Sequence, residues 1–528
     1  WPILIKFVTV SFLLFFINTN LSSQIPVGLK HDINGIPFNG YFDPMIYSPD
    51  EKISSTINEF SYERGYYFDA SGNKVTGLIK YEENRIFFKE GKKEFRDKIK
   101  ADEIKNFVTG VDSFFTIDNY IFENKVKTDP VYVHYISSFD NFTFVRHYSI
   151  RREMNKPIVF TFYLFKENTT DVWQSISNET EFRTEALKLF NHVPVLNEKI
   201  TAGKYGLNDM MTIIKTAEYL DAFENAKPIY FDIYWQETGD PERASYNALI
   251  TDVNDSIFTF EYYHQNRKIY TVNYSSFYPN IKEGDVTAYH PNGQIRQIAT
   301  FEQNKPTEVK LFDINGGLYI HYKYVETEGK RRKDTNLHLE YLFVADSLGN
   351  NILVKGKKSS VTAYDAVSDA TYTTQFYGHQ IIACYRVVEN DTIFQMTDPG
   401  FNLSIEEFQN VFNYYISKKD FEDAMEENAQ GIILLSLLID DKGYVQEGRI
   451  LNNIHPQLDS IITNLLSERL IEGASFRYSF KPYRRNKERR FCEFVIPVEL
   501  NINRFYRSSP NYNLYSGSGA IFIGVNGF

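Results

Sequence analysis

The sequence predicts a mainly β protein with an α+β unit near its C-terminal end. Three observations lead there. The 528 residues are rich in aromatics, with 38 Tyr and 44 Phe, and these residues, like Val, Ile and Thr, suit the pleated, half-buried surface of a sheet. Short apolar runs recur along most of the chain, separated by Asn-Gly and Asp-x-x-Gly turns of the kind that close hairpins. From Gly431 to Leu500 the pattern changes to strand, turn, strand, helical period and strand.

At roughly 150 residues per domain the length suggests three or four domains. A hydrophobic content of 43% supports real cores. The formal net charge of -11 argues against nucleic acid as a partner. Cys384 and Cys492 lie far apart, so no disulfide framework or cysteine metal site follows from them. They read as two buried thiols in strands, with a single long-range disulfide as the alternative.

Residues 1–23 read as a signal peptide. Lys6 precedes the apolar run Phe7 to Ile17, and Leu21-Ser22-Ser23 offers a small-residue cleavage site before Gln24. The alternative is a retained anchor. An exported protein of the periplasm or outer membrane is the expectation.

Residues 24–165 read as an N-terminal β domain, a small sandwich or barrel. Hairpin turns are expected at Asp32–Gly35 and Phe38–Gly40 and between Tyr66 and Lys74, with strands at Val131–Ile136 and Ile158–Leu164 and a helical turn at Asp102–Val108. Residues 166–225 form a helical bridge. Thr184–Phe190 is helical, as is Leu207–Phe223, where Met210, Ile213, Ile214, Ala217 and Leu220 share a face behind a candidate cap at Asn208.

Residues 226–395 return to strands with a recurring unit. Thr287 to Gly293 runs into an Asn-Gly turn, Leu311 to Gly316 repeats it, and Phe343 to Asn350 is a weaker copy. Such self-similarity implies an array in which each hairpin packs on its neighbours. The stretch Gly284 to Tyr324 resembles the bacterial MORN-like repeat variant of exported and antitoxin-like proteins, which implies an antiparallel β array and no chemistry.

Residues 396–503 are the clearest unit, followed by a tail at 504–528. Ser404-Ile405-Glu406-Glu407 is a capping box ahead of Phe408, Val411, Phe412 and Tyr415. Gly431 to Ile439 and Tyr444 to Leu451 form a hairpin around Asp440-Asp441-Lys442-Gly443. A helix follows from Gln457 to Leu470, then strands at Phe476–Pro482 and Phe491–Leu500. This order, with Phe480-Lys481-Pro482 and Ile496-Pro497-Val498-Glu499-Leu500 at its end, resembles the TonB C-terminal domain. Ser479-Phe480 stands where that family carries a Trp. The resemblance implies a ββαβ fold whose sheet edge takes up an extended segment of an outer-membrane protein by strand addition.

No chemistry-bearing motif accompanies these units. The ten histidines show neither HExxH nor HxH spacing, and GxSxG and P-loop patterns are absent from the sequence. No catalytic residue, cofactor or metal ligand is therefore expected. The candidate residues are for partner binding: Phe491, Glu493 and Val495 on the last strand, taken as the sheet edge, and Arg484, Arg485, Arg489 and Arg490 in the basic run before it. The expectation is a non-enzymatic envelope scaffold with a protein partner. A membrane-anchored energy transducer and an envelope-polymer hydrolase without a recognisable motif are the alternatives. Membrane association would come only through the partner or an uncleaved signal.

Overall fold

The computed structural model describes residues 62–395, 431–464, 484–501 and 521–524, apart from short breaks. The signal segment, the turns at Asp32–Gly35 and Phe38–Gly40, the capping box at Ser404, the strand Phe476–Pro482 and most of the tail lie outside the described residues. The fold is mainly β, with few helices. The chain divides into two compact units, one containing residues 49–351 and the other 352–403 with 432–498.

The larger unit begins with strands hydrogen-bonded in one continuous order, where a small sandwich or barrel was the expectation. Twelve strands belong to it among the described residues. Asp97–Lys100, Arg85–Lys89, Lys74–Glu82 and Glu63–Phe68 lie side by side, then Asn106–Thr109, Asp112–Ile117, Val131–Ser138, Phe142–Glu153, Lys156–Glu167 and Trp173–Ile176. The ribbon of Tyr120–Phe122 and Lys125–Lys127 closes the far side through a parallel pairing of Tyr120 with Trp173. The helical turn expected at Asp102–Val108 is a turn at 101–103 and then a strand. Tertiary packing decides this: Phe107 stacks on Phe114 with centroids 4.6 Å apart, Tyr81 stacks on Phe114 at 5.1 Å, and all three rings are buried. Burying a phenyl ring is worth about 2–3 kcal/mol, more than one turn of helix propensity.

Three helices follow: α1, Glu179–Leu189; α2, Pro194–Thr201; and α3, Met210–Glu224. Asn178 caps α1, its Oδ1 accepting from the amides of Thr180 and Glu181. The candidate cap Asn208 is instead inside a short 3-10 turn, Leu207–Asp209, and α3 starts after it. Helix α2 was not anticipated. Residues Phe142, Phe144, Phe165 and Ile176 of the sheet share a core with Phe182 and Phe190, Leu196 and Ile200, and Met210, Ile213, Ile214 and Ala217.

Helix α3 also packs on a second sheet. Tyr219 meets Phe260 and Phe277 edge-on at 5.2 and 4.5 Å, and Thr212 Oγ1 donates to the Tyr278 carbonyl at 3.0 Å. Helix α3 of the expected bridge is thus shared by two sheets, which is why nine of its fifteen residues are buried. The second sheet is an antiparallel meander: Glu237–Thr238, Ile229–Phe231, Tyr246–Asn254, Ile257–His264, Arg267–Ser276, Gly284–Tyr289, Ile295–Glu302, Lys305–Phe312, Leu318–Glu328 and Thr335–Val344, each beside the next.

Two of its turns at one end share a turn chemistry that is repeated elsewhere in the chain. In Asp69–Asn73, Asp313–Gly317, Asp346–Asn350 and Asp440–Tyr444 the Asp Oδ1 accepts from the amides two and four residues on. The fourth residue is Gly, which supplies the left-handed backbone at φ 86° for Gly316. At His290–Gln294 a His replaces the Asp. Its Nε2 lies 3.0 Å from the Phe312 carbonyl, and Asn292 Nδ2 donates to the Ile314 carbonyl at 2.7 Å. Consecutive turns are therefore bonded to each other, which gives the sequence period a physical meaning. Gln265-Asn266 turns the chain at this same end and Gln303-Asn304 at the opposite one, both pairs at positive φ.

The second unit overturns the boundary at 395/396. Strands Lys358–Asp365, Ala370–Tyr377, Gln380–Val388 and Asp391–Gln395 leave the meander and join Cys492–Asn501, Gly431–Ile439 and Val445–Ile450 in one sheet, in that order. The junction is a parallel pairing of Phe394 with Cys492 and Gln395 with Glu493. Helix α4, Pro456–Asn464, follows the hairpin, with Ile462 buried.

Candidate functional site

The most heavily bonded polar group of the smaller unit is Glu493. It is 2% exposed. Its Oε1 accepts from Ser436 Oγ at 2.6 Å and from Arg449 at 3.2 Å, and its Oε2 accepts from Tyr372 Oη at 2.8 Å and Arg386 Nε at 3.1 Å. Burial alone would raise its pKa. The Ser436 hydrogen bond, the Arg386 charge and the remaining partners outweigh that, so the carboxyl lies below its ordinary range. The partners come from strands Ala370–Tyr377, Gln380–Val388, Gly431–Ile439 and Val445–Ile450, so one ionised carboxylate ties together both halves of the sheet.

This corrects the expectation for the last strand. Cys492–Asn501 lies between Asp391–Gln395 and Gly431–Ile439 and is not the outer strand. Glu493 is turned inward on four partners and is unavailable to a docking chain. Val495 is on the same interior strand. Among the described residues the path of this sheet ends at Val445–Ile450 and at Lys358–Asp365. On Val445–Ile450, Gln446 and Glu447 are exposed and Val445 is buried.

The predicted arginines form a separate element. Arg484–Arg485 and Glu488–Arg489 make a two-stranded ribbon, paired Arg484 to Arg489 and Arg485 to Glu488, with Lys487 at its tip in the left-handed region at φ 69°. Arg484, Arg489 and Arg490 are exposed, and Arg490 pairs with Glu488. Phe491 is 38% exposed, and its carbonyl accepts from the Phe394 amide. A smaller basic run in the sequence, Lys330-Arg331-Arg332-Lys333, lies outside the described residues.

Two polar constellations in the larger unit were invisible in the sequence. Arg146 donates to His134 Nδ1 at 2.9 Å, and His134 Nε2 stands 3.1 Å from Asp112 Oδ1. A guanidinium can only donate, so Nδ1 carries the lone pair and Nε2 the proton. Burial lowers the His134 pKa despite the Asp112 carboxylate, consistent with a neutral ring. Lys215 of α3 lies 2.9 Å from both Glu218 and Glu237, and Tyr219 Oη donates to Glu237. Burial raises the Glu218 pKa more than Lys215 lowers it. The lysine lies between the two carboxylates, so the trio fastens helix to sheet.

Cys384 and Cys492 are unbridged. Burial, with the nearby Asp440 carboxylate, pushes the Cys492 thiol up to about 12, which makes it inert. Among the described residues no group of three His, Cys, Asp or Glu side chains is placed to hold a metal ion. Comparison with protein-family models and with curated proteins gives no match.

Proposed function

We propose that this is a non-enzymatic docking protein of the bacterial cell envelope, which takes up an extended segment of a partner protein by strand addition at Val445–Ile450. The observation that carries the reading is the position of that strand at the end of its sheet among the described residues. An outer strand offers a row of backbone amides and carbonyls to a further chain, and Gln446 and Glu447 keep it soluble until one arrives. The TonB-like order of hairpin, helix and strand supports the same reading, with the capture edge moved from the last strand to the hairpin. The MORN-like meander serves as a spacer or second surface, because its turns are bonded to one another and its hairpins extend one after the next.

A photo-crosslinking amino acid at Glu447 of the full chain, expressed in a bacterial envelope, tests this. A discrete protein adduct at Glu447, absent when the same group is placed at the buried Leu437, is expected. Absence of any adduct at Glu447, or fractionation of the protein with the cytoplasm, would overturn the reading.

A further inference from the structure

The ribbon of 484–489 has two unlike faces. Side chains directly paired across an antiparallel ribbon share a face. Arg485 opposes Glu488, and Arg490 also pairs with Glu488, so that charge is locally compensated. Arg484 opposes Arg489. Both are exposed, and neither has an ion pair among the described residues. Like charges held directly opposite destabilise a ribbon, and Lys487 at the tip adds a left-handed backbone that a lysine rarely adopts. A sequence that keeps both features has a use for two guanidiniums side by side.

Resting on the docking reading, we propose that the Arg484–Arg489 face receives acidic side chains of the partner segment. Two adjacent guanidiniums match the two oxygens of a carboxylate. The ribbon is also at the right end of the sheet. Glu493 bonds Ser436, three residues before Ile439, so the strand that follows the ribbon starts near the end of Gly431–Ile439 that leads into the Asp440–Gly443 turn. The docking strand starts at the same turn, with Val445 paired to Ile439. Two strand spacings separate the lines of these two strands and the added strand lies one further out, about 14 Å in all. An arginine and a glutamate together span that gap, so acidic residues flanking the added strand reach the ribbon. A net charge of -11 works against approach to a broad anionic membrane, whereas a short segment feels mainly the local pair.

The test uses the full chain with fluorescent hexaglutamate and hexaglutamine as probes, read by anisotropy. Hexaglutamate binds at low salt, hexaglutamine does not, and the signal disappears at high salt. The R484Q/R489Q variant, checked for an unchanged circular-dichroism spectrum, weakens hexaglutamate by about tenfold, while R485Q changes it far less. Equal affinity of wild type and R484Q/R489Q, or no hexaglutamate binding, overturns the proposal. So does binding to phosphatidylglycerol vesicles that R484Q/R489Q abolishes and hexaglutamate does not compete, which would give the ribbon to lipid. If the Glu447 adduct fails while the hexaglutamate effect holds, strand addition falls and the acid-receiving face stands.

Discussion

Ser436 Oγ donates to Glu493 Oε1 at 2.6 Å across two strands separated in sequence by the helix and the basic ribbon. With Arg386, Arg449 and Tyr372 on the same carboxylate, the smaller unit is centred on one negative charge.

Removing that charge should be costly. Glu493→Gln leaves two guanidiniums facing a neutral amide, with Arg386 largely buried and Arg449 one-third exposed. A loss of about 3 kcal/mol is expected, measured by denaturant unfolding of the smaller unit's transition. A double-mutant cycle with Arg386→Gln should show strong coupling.

The same carboxylate makes this unit sensitive to acid. Its folded pKa is depressed by Ser436 and Arg386 against the opposing effect of burial. The stabilisation is complete above the ordinary carboxylate range and is lost as pH falls through the lower folded value. Melting temperature followed from pH 6 downward should drop more steeply in wild type than in Glu493→Gln.

His134 gives the larger unit a different window. Burial depresses its folded pKa below the ordinary value near 6.5, and Asp112 only partly offsets this against Arg146 and Lys215. The unfolded chain therefore takes up a proton first. Stability is complete above about 6.5 and falls as pH drops toward the folded value. Protonation would also set an N–H against the Arg146 guanidinium. His134→Phe, which can keep the ring stack on Phe114, should flatten the unfolding free energy between pH 7 and 5.

Two glycines in the first sheet tolerate no side chain. Gly65 and Gly77 are register partners. A Cβ at Gly65 would stand 2.1 Å from the Val108 carbonyl oxygen, and one at Gly77 would stand 2.4 Å from that of Lys89. Either change to Ala should destabilise by about 3 kcal/mol, since backbone must move to relieve it. Gly239→Ala, with nothing within 4 Å, should be neutral in the same thermal melt.

The hairpin at Gly443 tests the shared turn. Gly443 sits at φ 95°. Gly443→Ala should cost about 1–2 kcal/mol, and Asp440→Ala, which loses two amide bonds, a similar amount. If the outer strand Val445–Ile450 captures a partner, both changes should also weaken the Glu447 adduct.

The strands and their turns were legible because local chemistry fixes them. Val131–Ser138 and the Gly293, Gly316 and Gly349 turns need only alternation and a residue that accepts positive φ. Helix α2 spans eight residues, too few for a period to show, and its signal was the Pro at its first position. The Gln-Asn turns escaped notice because Gln is an uncommon turn residue. The misreading of the last strand has a different origin. A strand is an edge only by virtue of what lies beside it, and the pairing of Phe394 with Cys492 joins residues nearly a hundred apart. Glu493 looked like a surface acid for the same reason: Tyr372 and Arg386 are 121 and 107 residues away.

Helix α3 carries one more implication. Because it is wedged between two sheets, with Ile213 and Ile214 in one core and Tyr219 against Phe260 in the other, cutting the chain beside it lays bare apolar surface that the helix covers or that covers the helix. Truncations that end at residue 225, or begin there, would aggregate, and the smallest soluble fragment of this part of the chain should run through Asn351 and melt in one cooperative step.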